Sequence, residues 1–125
     1  MKRITISVLV LCLLFLMDNY SIYSEENPVP TPKVIKNYEE DVTGNGLKEI
    51  IELKGLLFSP DSNYYKDIKA VITSSENQIW EIPYLGGYEP SLTFIDLNHD
   101  KVNDVFFQSA SGGSGGLYQY QLHTL

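Results

Sequence analysis

From Tyr38 onward the apolar residues fall in short runs divided by turn-forming residues, and they never recur every 3.6 positions over ten or more residues. The pattern predicts strands over 47–58, 67–73, 78–84, 91–95, 104–109 and 117–123. Turn signals separate them at 59–63, 74–77, 85–90 and 111–116, each built from Gly, Pro, Asn, Asp or Ser. The segment Ser74-Ser75-Glu76-Asn77 closes a predicted hairpin between 68–72 and 79–82. Ahead of these runs, Pro28, Pro30 and Pro32 alternate, which favours extended or polyproline II backbone and excludes a helix, so 25–37 reads as a linker. The expectation is an all-β domain over 38–125, arranged as an antiparallel meander.

The first 24 residues read differently. Met1-Lys2-Arg3 precedes an uncharged apolar stretch from Ile4 to Met17, a basic n-region and a short h-region. That stretch is shorter than the roughly 20 residues a spanning helix needs, so a signal peptide is expected over 1–24 and no stable membrane span. Cleavage is expected after Ser24, with Ser21 as a second choice. Cys12, the only cysteine, lies inside the h-region behind Leu11 and does not resemble a lipoprotein processing site, so the mature domain would hold no disulfide.

With 125 residues the chain has room for one small domain and none for a barrel enzyme, a dinucleotide-binding fold or a kinase. A formal charge of −7 and only scattered lysines argue against nucleic acid, which needs clustered cations. The 43% hydrophobic fraction is too high for a disordered acidic tail, so the acidity belongs to a folded domain that attracts cations.

One internal repeat carries candidate chemistry. Asp41-Val42-Thr43-Gly44-Asn45-Gly46-Leu47-Lys48-Glu49 aligns at an offset of 55 with Asp96-Leu97-Asn98-His99-Asp100-Lys101-Val102-Asn103-Asp104. Both place oxygen-bearing side chains at positions 1, 3, 5 and 9 and an apolar residue at 7. Ca²⁺ takes about six to eight oxygen ligands, and a tight loop turns alternate side chains inward. The second loop would offer Asp96, Asn98, Asp100 and Asp104 with the carbonyl of Val102, and the first Asp41, Thr43, Asn45 and Glu49 with the carbonyl of Leu47. With three carboxylates against two, the second is expected to bind more tightly. An EF-hand is excluded, because its closing Glu at position 12 and its helices are missing: position 12 is Glu52 in one copy and Phe107 in the other, and both loops run into strand-forming residues. The competing reading is that both are metal-free Asx turns.

These loops, together with Gly87-Tyr88-Glu89-Pro90-Ser91-Leu92 and the glycine-serine run 109–116, resemble the FG-GAP and VCBS-type calcium-loop repeats. The resemblance covers about 85 residues and is greatest to the secreted, Bacillus-type VCBS-repeat-containing proteins. It implies propeller-blade-like repeats joined by D-x-[DN]-x-[DN]-G-x-x-D turns. The departures are Thr43 and Asn45 for acidic ligands and Lys101 for glycine, which bear on affinity more than on geometry. Two blade-like units cannot close a propeller. Members of that family run further, which suggests a shortened member or a sheet completed by another chain through the open edge expected over 117–125.

Other signals are weaker. Gly112-Gly113-Ser114-Gly115-Gly116 matches a nucleophile elbow in letters, but it lacks a following helix and a downstream acid ahead of His123, so no enzyme activity is expected. His99 falls at an outward position of its loop. Trp80 and the tyrosines 64, 65, 84, 88, 118 and 120 suit a β core, and could also stack on sugar rings or a protein. The leading expectation is a secreted, non-enzymatic domain with structural Ca²⁺ loops, serving extracellular or cell-surface interaction with a protein or polysaccharide partner. The alternative is a metal-free, aromatic-faced carbohydrate- or protein-binding module.

Overall fold

The computed structural model describes residues 29–125, so the expected signal peptide and Cys12 lie outside the described residues. Every regular element described is a strand: β1 (Lys33–Glu40), β2 (Glu49–Leu57), β3 (Tyr64–Thr73), β4 (Ile79–Tyr84), β5 (Gly87–Ile95), β6 (Asp104–Ala110) and β7 (Tyr118–His123). They form one antiparallel sheet in the order β1-β2-β3-β5-β6-β7, with β4 pairing β3. Among the described residues the sheet closes into neither a barrel nor a propeller.

Two boundaries differ from expectation. β1 begins at Lys33, inside the segment read as linker, because proline stops at Pro32 and the chain behind it carries Ile35 and Tyr38, which pack against the core. β5 begins at Gly87, inside a segment read as a break. Glu89, at φ 48°, and Pro90 form a bulge opposite Ser109 between the pairs Tyr88–Ala110 and Ser91–Gln108, so turn-forming residues are absorbed within a strand. The hairpin at 74–77 is as expected: Asn77 donates its N–H to the Ser74 carbonyl and takes a positive φ of 61°.

The meander is interrupted at β3. Its residues Ile68 to Thr73 pair with β4, while Tyr64 and Tyr65 pair with β5. Between them Asp67, at φ 52°, lies in a second bulge opposite Gly55. The sheet bends there, so that the inner faces of β2-β3-β4 and β5-β6-β7 meet. Ile51, Leu53, Ile68, Ile72 and Ile82 from one half pack with Leu92, Val105 and Phe107 from the other. Tyr84 stacks on Phe107 at 4.1 Å between ring centres, and Tyr38 meets Phe94 edge-on at 5.4 Å and accepts the Leu92 N–H on its hydroxyl. Burying such side chains contributes about 1.5–3 kcal/mol each.

The 55-residue offset extends beyond the loops. Shifted by it, β1 falls on β5, β2 on β6 and β3 on β7. The β1–β2 and β5–β6 loops consequently lie at the same end of the molecule.

Candidate metal centre

The two loops share one backbone conformation. Positions 4 and 6 are left-handed in both: Gly44 (φ 75°) and Gly46 (φ 82°) in the first, His99 (φ 63°) and Lys101 (φ 74°) in the second. Glycine adopts this at no steric cost, whereas His99 and Lys101 hold it against their own Cβ atoms. Residues with side chains occupy so unfavourable a conformation only where the surrounding bonds impose it.

Those bonds also match. The Asp at position 1 accepts backbone N–H groups across the turn: Asp41 from Gly44 and Gly46, both at 2.8 Å, and Asp96 from Asp100 at 3.2 Å and Lys101 at 2.9 Å. The side chain at position 5 accepts the N–H of position 7: Asn45 from Leu47 at 2.7 Å and Asp100 from Val102 at 2.8 Å. The carboxylate at position 9 accepts the N–H of position 2: Glu49 from Val42 at 2.9 Å and Asp104 from Leu97 at 3.1 Å. The two carboxylates at position 9 are buried, Glu49 at 1% and Asp104 at 2% exposure.

The loops differ in what else they gather. Around Glu49, the Thr43 hydroxyl at 3.0 Å and the Asn45 amide at 3.4 Å both donate to the same oxygen, Oε1, so positions 3, 5 and 9 converge. In the second loop the Asn98 amide donates to Asp100 at 2.8 Å, but the Oδ1 of Asp104 accepts the hydroxyl of Thr124 at 2.6 Å instead of facing the other acids. The three carboxylates of that loop are therefore not drawn to one point, and among the described residues no three His, Cys, Asp or Glu side chains form a ligand cluster. Every side chain at positions 1, 3, 5 and 9 offers oxygen, which fits a hard cation such as Ca²⁺. His99 is exposed.

Sequence reading did not reveal how closely the loops lie together. A Cβ on Gly44 would fall 2.5 Å from the Cγ2 of Val102, so the side chain of the residue chosen for its carbonyl packs on the other loop. Asn103 donates to Glu40 at 3.1 Å across the same junction. Neither contact leaves a local sequence signal, since each joins residues more than fifty positions apart. Thr124 was equally silent. Beside the first loop, Thr43 and Asn45 line a shallow cleft with Ser74, Glu76, Gln78 and the partly buried Trp80.

Ser114 lies in the exposed connection between β6 and β7, a strand-to-strand link and not the strand-to-helix turn of a nucleophile elbow. His123 packs edge-on against Tyr84 at 5.6 Å.

No family model matches the chain, and no solved structure matches it. Among curated proteins it is similar to the uncharacterized protein YybI of Bacillus subtilis (strain 168), with 35% identity over 103 residues. The match takes in 78% of this chain and 38% of YybI, so the chain spans well under half the length of that relative.

Proposed function

We propose that the protein is a secreted, non-enzymatic β-repeat domain of the FG-GAP/VCBS calcium-loop kind, whose two loops hold Ca²⁺ as a structural ion. The observation that carries this reading is the shared loop conformation, kept 55 residues apart by different sequences, with His99 and Lys101 left-handed where the first copy has glycine. A turn that only had to join strands would not need the same inward array of oxygens twice. The ion would draw on Asp41, Thr43, Asn45 and Glu49 in the first loop and on Asp96, Asn98, Asp100 and Asp104 in the second, with the carbonyls of Leu47 and Val102. It would offset the repulsion of carboxylates crowded into short turns and would hold rigid the end of the sheet where both loops lie. The function served is interaction outside the cell. In keeping with this, no helix among the described residues is long and apolar enough to cross a membrane.

Thermal unfolding in EDTA, in CaCl₂ and in MgCl₂ tests the proposal. A rise in midpoint specific to Ca²⁺, reduced in Asp100→Ala, is the expected result. Equal midpoints in all three buffers would reduce the loops to metal-free turns.

A further inference from the structure

The repeats bury opposite faces of equivalent hairpins. In the first, Tyr38, Ile51 and Leu53 point into the core, and Ile51 and Leu53 are wholly buried. Their equivalents at the 55-residue offset are Thr93, Phe106 and Gln108, and these point outward, because the second repeat fills the core with Leu92, Val105 and Phe107 instead.

That outward face is apolar and free of charge. Thr93, Phe106 and Leu122 form one cross-strand row, and Ser91, Gln108 and Tyr120 the next. Tyr118 lies opposite Ala110, and Ile95 stands at the loop end of β5. Tyr118 and Tyr120 are 57% and 58% exposed, and Tyr120 stacks on Phe106 at 5.6 Å. Glu89 sits only beyond the rim, at the bulge. The outer surface of the first repeat differs: it carries the ion pairs Lys54–Glu52 and Lys69–Glu81.

We propose that the outward face of β5, β6 and β7 is a self-association surface, on which a second copy of this chain docks by the same face about a two-fold axis. The charge of the chain favours this occupant. Two copies at −7 each repel over most of their surfaces, and a charge-free face lets them meet without bringing carboxylates together. The equivalent face of the first repeat is already covered by a sheet face, so this surface is of a kind that packs on sheet. Three strands about 4.8 Å apart and some six residues long present roughly 15 by 20 Å. That is the low end of specific interfaces, so the dimer is weak, with a dissociation constant on the order of tens to hundreds of micromolar. The inference does not depend on whether the loops bind metal.

Sedimentation velocity of the full chain from about 10 to 500 μM, in EDTA and in CaCl₂, tests it. A monomer–dimer equilibrium is expected that tightens in about 0.5 M NaCl, because salt screens the repulsion and leaves the apolar contact. Tyr120→Lys and Leu122→Lys should each weaken it by about tenfold or more, whereas Ile50→Lys, on the opposite surface with the same change in charge, should not. A thermal melt of each variant separates loss of the interface from loss of the fold. A chain monomeric throughout the range overturns the proposal, as does a dimer indifferent to both face variants or dissolved by Ile50→Lys.

Discussion

Glu49→Gln separates the ion from the turn. In the absence of metal, the Glu49 carboxylate is buried and held by three neutral donors, from Val42, Thr43 and Asn45. Glutamine keeps the length and one acceptor oxygen for the Val42 N–H, whose loss would cost about 1–3 kcal/mol, and removes the charge that such burial penalises. In EDTA these effects oppose one another, and the variant should lie within about 1 kcal/mol of the parent. With Ca²⁺ at about 100 times the dissociation constant of the first loop, an intact site adds about 2.7 kcal/mol. For a domain of this size that is a rise of roughly 10–20 °C in midpoint, since 1 kcal/mol moves it by about 4–8 °C. The variant should lose this contribution and keep that of the second loop. Differential scanning calorimetry in EDTA and over a CaCl₂ series provides the comparison. A Ca²⁺-induced shift as large in Glu49→Gln as in the parent would refute the assignment of Glu49 as a ligand, whatever the second loop does.

Further outcomes follow from contacts described above. Gly44→Ala should destabilise by about 1–3 kcal/mol, because φ is 75° there and the new Cβ would meet Val102; adding Val102→Ala should recover part of the loss in urea titrations, and simple additivity would deny the contact between loops. Thr124→Val frees the Oδ1 of Asp104 from its donor, so isothermal titration should show tighter Ca²⁺ binding at the second loop even if the apo fold loses about 1 kcal/mol. Tyr84→Phe should be neutral or stabilising at pH 7 by thermal melt, because the buried hydroxyl has no hydrogen-bond partner. Burial raises the ionisation of Tyr84, so the folded state favours its neutral form: that contribution is intact below the ordinary tyrosine value of about 10 and is lost as pH climbs past it. Alkaline unfolding should therefore begin later in the phenylalanine variant, and identical pH profiles would count against the burial of this ring.

The class of the fold and most of its strands were legible in the chain because a period of two is written locally, one residue after the next. Where bulges intervene, the alternation breaks and the reading faltered. Glu89 and Pro90 look like a turn and lie within β5, and the two lysines and one asparagine of β1 outweigh Ile35 and Tyr38 until the core they touch is known. The loops were legible too, since their ligand positions lie within nine consecutive residues. The expectation that the acid-richer loop holds its ligands better did not anticipate Thr124, which engages Asp104 from 20 residues away, or the convergence of Thr43 and Asn45 on Glu49.

By itself, then, the sequence determined what depends on near neighbours: β alternation, turn chemistry, the 55-residue repeat and the oxygen spacing of its loops. Tertiary structure alone decided which side of each hairpin is inside. That choice rests on the bend at Asp67, which folds one half of the sheet over the other and allows only one face of each half into the core. It places Gly44 against Val102, and it leaves Phe106, Tyr118 and Tyr120 on a face that their equivalents in the first repeat do not share. Alternation requires that one face be apolar; the closing of the two layers fixes which of the remaining apolar residues stay exposed.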